Sequence, residues 1–456
     1  MEMLDLSIFI GYIAVLIIIG VRVSKKTTNF RGFTVAGRSL GFPQMTATIV
    51  ATFYGATAVI GVAGFAYLVG LGAIWFVIPW YIGTLLVAIF LVKKISKFSK
   101  FTMPEAIGSM FDKRCRILSA SLLIFYCLVP ESIIAIGYLS HSMLGISTSL
   151  GMIIATFVII IYTLLGGLRA VVSTDILQFF LMGTGLMILL VVGLGAVGGF
   201  GGIWQNIPPD FKSISGGLSI WDILVLSITI GTLPLVSAQL YQRFFSSSSW
   251  KISRRALFTA ILCWIIFDFA IITTGLMARA QNPAGGEELA DAALPDLGMG
   301  LLPVGVRGLF MVALFAAVMS TADSYLHVAA SSFSNDIYRF FGKKGGEKRM
   351  LLVARGSIVM FGIFSLIIAF WLQTIVNAIV FLLTVWISGM LLPIILSYKF
   401  KLRAKTAFAG MLSGALASIF WKVISSYVAV PAYADPLFIG IGACLFGLII
   451  ADITWR

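Results

Sequence analysis

Apolar residues run along this chain in stretches of about 20, separated by short segments rich in glycine, proline and charge. A helix rises 1.5 Å per residue, so about 20 apolar residues cross the roughly 30 Å hydrocarbon core of a bilayer. The pattern predicts thirteen spans, at about 5–23, 43–70, 72–92, 117–138, 149–168, 175–197, 220–241, 256–278, 303–335, 351–371, 374–397, 406–427 and 436–454. Some spans are interrupted. The second carries Thr52-Phe-Tyr-Gly-Ala-Thr-Ala58, small and polar residues in an apolar run, and the seventh carries Gly231-Thr-Leu-Pro234. The fourth holds Pro130 and Glu131, and a short turn with Thr174-Asp-Ile-Leu-Gln178 is expected to open the sixth. Main-chain groups freed inside a membrane are tolerated only against protein or a wet cavity. Interruptions at matching places in two halves therefore point to a secondary transporter's binding site. Residues 42–198 and 220–398 then form two five-helix halves of opposite orientation. A first helix and cytoplasmic loop (1–41) precede them, an external loop (199–219) separates them, and two further helices (399–456) follow.

The ninth span changes character along its length. It opens as Leu309-Phe-Met-Val and then places Ala317, Ser320, Thr321 and Ser324 at i, i+3, i+4 and i+7, one face of a helix. That face offers oxygen, which hard cations prefer as a ligand. Asp323 sits beside it, and a carboxylate at the bilayer centre costs about 2.5–3.5 kcal/mol, so it normally faces a partner or a wet cavity. The face is read as a sodium site.

Composition narrows the class. With 60% apolar and 11% charged residues and a mean hydropathy of +1.05, a soluble chain of 456 residues has too little polar surface to cover itself. The net charge of +14 does not imply a nucleic-acid partner. On the predicted spans, Lys212, Arg279, Arg307 and Lys422 alone among the Lys and Arg fall outside, while Asp210, Glu287, Glu288, Asp291 and Asp296 gather there. This is the positive-inside asymmetry, and it sets the N-terminus outside and the C-terminus, ending in Arg456, in the cytoplasm. The acidic start at Glu2 and Asp5 is not that of a signal peptide. Cys115, Cys127, Cys263 and Cys444 lack metal-site spacing and are expected to pack as free thiols. No zinc-protease motif, nucleophile elbow or Cys/His cluster occurs, which argues against an intramembrane enzyme.

Three groups of residues carry a resemblance. They are Tyr162-Thr-x-x-Gly-Gly-Leu-x-Ala170 with Thr174, Asp175 and Gln178; Ala316-Ala-Val-Met-Ser-Thr-Ala-Asp-Ser324; and Gly37-Arg-Ser-Leu-Gly41 together with Gln242-Arg243 and the serines after it. The whole chain resembles the sodium/solute symporter family, whose carriers take up proline, glucose, choline or sialic acid. The resemblance implies an all-α leucine-transporter-like fold with two inverted five-helix repeats, and a sodium ion between the first and eighth core helices. On this chain that ion would be held by the carbonyls of Ala51, Tyr54 and Ala317 and the hydroxyls of Ser320 and Thr321. A second sodium site in some members matches Asp175, Ser320, Asp323 and Ser324, with Asp323 where some relatives have serine. Solute would lie among Phe53, Gly55, Ala56, Ala58, Glu131, Ile230, Leu233 and Trp264. Positions that are polar in sugar carriers read Ala58, Val77, Ile230 and Trp264, which argues against a sugar. The choline carriers' tryptophan cage is replaced by Ile49, Ile134 and Ser237. The function implied is sodium-coupled import of a small organic solute across the plasma membrane by alternating access. A proton-coupled carrier of the same fold and a transporter-derived sensor are the alternatives.

Overall fold

Helix satisfies every main-chain group within one segment, so a chain this apolar becomes helix wherever it leaves water. The computed structural model describes residues 2–128, 130–341, 346–372, 375–425, 427–428 and 430–454. Lys343, Lys344 and Arg456, counted above among the cytoplasmic charges, lie outside the described residues. The principal helices are α1 (Met3–Ser24), α2 (Phe42–Phe53), α3 (Val62–Val69), α4 (Ile74–Leu86), α5 (Lys113–Tyr126), α6 (Pro130–Leu139), α7 (Thr148–Gly166) and α8 (Leu168–Ala196). They continue with α9 (Ile220–Val236), α10 (Ala238–Ser246), α11 (Trp250–Gln281), α12 (Val306–Ser332), α13 (Glu347–Leu372), α14 (Ile375–Ser397), α15 (Ala404–Ser425) and α16 (Pro436–Thr454). Eleven described helical segments are long and apolar enough to cross a membrane. One of them, Thr57–Phe98, runs from the second half of the second predicted span through the third.

Helix α12 is the centre of the molecule. In its most apolar stretch 94% of residues are buried, against 22–65% in the other candidate spans. It packs on α1, α2, α6, α8 and α13. Its N-terminus is held from a distance: Asp5 Oδ1 on α1 accepts from the main-chain N–H of Gly305 (2.7 Å) and Gly308 (2.9 Å). A carboxylate there satisfies orphan donors and sits at the positive end of the helix dipole. The polar face read from the sequence therefore points into protein at Ala317, Ser320 and Ser324, with Thr321 half-buried.

Two expected interruptions turn out differently. The first falls where the sequence places it: α2 stops at Phe53, Tyr54 lies outside helical geometry (φ −103°, ψ 56°), and a π-helical turn at Thr57–Gly61 leads into α3. The second does not. Gly231 and Pro234 lie inside an unbroken α9, and the chain leaves the helix at Ser237 (φ −72°, ψ 108°) before restarting as α10. Proline removes one main-chain donor and crowds the carbonyl four residues back, but here long-range contacts decide where the chain leaves the helix. The indole of Trp386 donates to the Val236 carbonyl (3.1 Å), Tyr241 donates to that of Leu235 (3.2 Å), and Ser237 Oγ caps α10 through Leu240.

Gly231 serves packing instead. A side chain carbon at Gly83 on α4 would come within 2.0 Å of the Gly231 carbonyl oxygen, so these helices touch backbone to backbone. Gly83→Ala is expected to destabilise the protein by about 1–3 kcal/mol through overpacking. Thermal unfolding in detergent checks this, with Gly11→Ala, where nothing lies within 4 Å, as the control.

The sixth predicted span also begins earlier than expected. Gly167 takes a positive φ of 56° that a side chain would disfavour, and this one-residue turn lets α8 start at Leu168. Thr174, Asp175 and Gln178 are consequently buried within the helix rather than in a turn before it. The fourth span is interrupted after Tyr126 and resumes at Pro130. The segments around Leu40 and Ser247 pair: Leu40 N–H donates to Ser246 O (3.2 Å) and Ser248 N–H to Leu40 O (3.1 Å). His327 bonds the Phe33 carbonyl at 2.9 Å in the same region and is structural. All four cysteines are free thiols.

Candidate functional site

Breaking a helix frees the carbonyls of its last turn. At the end of α2 they meet the hydroxyl face of α12. Ser320 Oγ lies 2.9 Å from the Ala51 carbonyl oxygen and 2.9 Å from that of Ala317, donating its one proton between them. Thr321 Oγ1 donates to the carbonyl of Thr52 at 2.9 Å. Gly55 lets the break close on α12, since a side-chain carbon there would sit 2.4 Å from Thr321 Oγ1. Ser320 is fully buried. Ala51, Ala317, Ser320 and Thr321, four of the five residues named for the first sodium, thus converge, and Thr52 joins them. Oxygens at these distances on two helices form the donor set a hard cation takes. The Thr52 carbonyl had no signal in its side chain. It emerges only because Tyr54 ends the helix.

One helical turn deeper lies a second buried cluster, organised by a residue that pattern reading quoted without assigning a role. Arg243 on α10 is completely buried. Its Nη2 donates to Thr52 Oγ1 (2.8 Å) and Ser324 Oγ (2.6 Å) and lies 3.9 Å from Asp175 Oδ2. Asp175 Oδ2 also accepts from Thr48 Oγ1 at 2.5 Å. Asp323 is turned elsewhere, accepting from the Tyr162 hydroxyl at 2.8 Å. Asp175 Oδ1, Asp323 Oδ1 and two nitrogens of Arg243 have no hydrogen-bond partner among the described residues. Of the residues named for a second sodium, Asp175 and Ser324 gather around Arg243, Ser320 belongs to the first site, and Asp323 faces Tyr162. A lone arginine in a segment this buried was itself a clue, because an isolated interior charge needs a carboxylate.

The residues proposed to hold solute divide into groups. Phe53 and Trp264 do come together, with Trp80, which the sequence reading did not single out. Ring centroids are 4.9 Å apart for Phe53–Trp80, 5.5 Å for Trp80–Trp264 and 6.3 Å for Phe53–Trp264. These rings come from α2, α4 and α11, beside the Tyr54 break. Ala56, Ile230 and Leu233 are buried and Ala58 is half-buried. Gly55 is closed against Thr321, so it shapes the break instead of lining a pocket. Glu131 is buried near the start of α6. Ser132 Oγ donates to its Oε1 at 3.4 Å, and its Oε2 has no partner among the described residues.

The profile of the sodium:solute symporter family matches residues 33–414. The chain belongs to that family. It is similar to the high-affinity proline transporter PutP of Bacillus subtilis (strain 168), with 26% identity over 445 residues, covering 92% of this chain and 94% of the relative. It is also similar to the sodium/glucose cotransporter of Vibrio parahaemolyticus, with 27% identity over 470 residues, covering 92% and 84%. Among solved structures, the substrate-bound outward-open state of a Na+-coupled sialic acid symporter superposes with a TM-score of 0.83 at 22% identity, over 99% of this chain and 98% of that one. As a sodium:solute symporter the chain is a multi-pass membrane transporter with a leucine-transporter-like fold, and not an enzyme. It couples solute import to sodium, and sodium is its ion.

Proposed function

We propose that this symporter holds sodium between α2 and α12, on the carbonyls of Ala51, Tyr54 and Ala317 and the hydroxyls of Ser320 and Thr321. The observation that carries the reading is Ser320 Oγ, equidistant at 2.9 Å from carbonyl oxygens of two helices. A cation at that point would be ligated by those carbonyls and by the lone pair of the Ser320 hydroxyl, which keeps its proton and turns it aside. The ion thereby favours the arrangement in which both helices face it, and a difference of this kind between states couples the ion to the conformational cycle. Solute binds between the breaks at Tyr54 and Ser237, against the rings of Phe53, Trp80 and Trp264, and the two repeats rock about it. Residues 42–198 and 220–398 are those repeats within thirteen crossings, with the N-terminus outside, the C-terminus inside and the plasma membrane as the site of action. Asp175, Ser320, Asp323 and Ser324 are the residues of a second cation position, of which Asp175 and Ser324 stand at Arg243 and Asp323 at Tyr162.

Moving one charge through 100 mV supplies about 2.3 kcal/mol, enough for a solute gradient of about 40-fold per sodium. The apolar lining at Ala58, Val77 and Ile230 favours a compact, partly apolar solute such as proline, which the Bacillus relative carries, over glucose. Purified protein in liposomes with an imposed sodium gradient is expected to accumulate labelled solute. Uptake driven by a proton gradient alone, with sodium inert, would refute the ion assignment.

A further inference from the structure

Tyr54 is the residue on which the proposed sodium site turns, yet no regular helix holds it. Its N–H makes one long bond to the Ala51 carbonyl (3.3 Å), and its φ and ψ belong to neither flanking helix. A carbonyl on such a residue can swing with the peptide plane unless something outside the backbone fixes it. The side chain supplies that. The Tyr54 ring packs edge-on against Phe267 on α11 (centroids 5.4 Å, 65°). Its hydroxyl donates to Asp268 Oδ1, and the Trp264 carbonyl lies 3.5 Å away. Asp268 Oδ2 in turn accepts from the hydroxyl of Tyr81 on α4. One carboxylate thus ties the helix break, α4 and α11 together from a place where it is 5% exposed.

The surroundings add to the constraint. Asp268 and Tyr81 edge a cavity of about 380 Å3 between α4, α11 and the short helix Gly199–Asn206. Its other walls include Ile74, Val77, Ile265 and Ile272, and among the described residues no other charged side chain lines it. Between these largely apolar walls, where Thr273 and Trp204 carry the other polar groups among the described residues, the two tyrosines hold the carboxylate, and it holds them.

The geometry points to Asp268 as a positioning residue for sodium: through the Tyr54 hydroxyl it fixes the main chain at the break and so pre-sets the Tyr54 carbonyl toward the ion. This rests on the sodium site proposed above. A preset ligand lowers the ordering cost of binding, so its loss shows as weaker sodium affinity more than as a lost fold. Tyr54→Phe is the informative variant, because it deletes one hydroxyl and keeps the ring on Phe267. Asp268→Asn deletes the acceptor charge, and Tyr81→Phe leaves the Tyr54–Asp268 bond intact.

The test needs no solute. Detergent-solubilised protein is titrated with sodium chloride, potassium chloride holding ionic strength constant, and the rise in unfolding temperature gives the half-saturating sodium concentration. Tyr54→Phe is expected to raise that concentration about 3- to 10-fold, the range of one typical net hydrogen bond, since the lost bond acts on the ion only through the main chain. Asp268→Asn should match or exceed it, and Tyr81→Phe should stay within about 2-fold. Ser320→Ala, measured alongside, separates the two ideas. If Ser320→Ala shifts the titration and Tyr54→Phe does not, the positioning role alone is wrong. Equal shifts in Tyr54→Phe and Tyr81→Phe also overturn it, since they mark general loosening. No shift in Ser320→Ala removes the sodium site, and the positioning role with it.

Discussion

Replacing Ser320 and Thr321 together with alanine is expected to raise the sodium concentration for half-maximal uptake by about tenfold or more. The two hydroxyls are the only side-chain ligands of the proposed site, and an interaction with a charged group is worth about 1.5–3 kcal/mol. The effect should fall on sodium and spare the fold. Each hydroxyl also donates to one carbonyl of α2, Ser320 to Ala51 and Thr321 to Thr52. Losing a neutral hydrogen bond of that kind costs about 1 kcal/mol. Half-maximal sodium is measured from solute uptake into proteoliposomes, with the unfolding temperature as a check on folding. Wild-type sodium dependence in the double variant would mean that the ion binds elsewhere.

Arg243→Ala should strike stability hardest. The guanidinium is fully buried and donates to Thr52 and Ser324 while standing 3.9 Å from Asp175. Removing it leaves Asp175 in the interior with Thr48 as its remaining donor. Breaking one side of a buried ion pair costs about 3–5 kcal/mol, because the surviving charge is uncompensated. Adding Asp175→Asn to the same chain should recover a large part of that loss, and thermal unfolding of the single and double variants reads it directly. A double variant no more stable than Arg243→Ala alone would show that the two residues are not coupled. Transport is expected to fail in both, since the same guanidinium braces Thr52, whose carbonyl meets Thr321.

How far the site could be read in advance depended on the range of the interaction. The face made by Ala317, Ser320, Thr321 and Ser324 follows from helical spacing, and so does the oxygen that it presents. The break at Tyr54 was visible because glycine and threonine interrupt an apolar run locally. The second break was misplaced by a few residues. Gly231 and Pro234 are local signals, whereas the helix ends at Ser237, where Trp386 and Tyr241 take up the carbonyls before it. The turn expected around Thr174 was likewise absorbed into α8, because Gly167 alone completes the reversal. Arg243, Trp80, Tyr81 and Thr52 gained roles only from partners on other helices, and no spacing along the chain announces those.

By itself the sequence determined that this chain crosses a membrane many times, which way its charge is biased, and which helix carries oxygen at membrane depth. These are properties of single segments, set by hydrophobicity and by the 3.6-residue repeat. Tertiary structure alone decided which carbonyls that oxygen meets, that a guanidinium stands among Asp175, Thr52 and Ser324, and that Asp268 clasps Tyr54. Those pairings join residues scores to hundreds of positions apart, and in a medium without water each buried polar group must take whichever partner the packing of helices brings within reach.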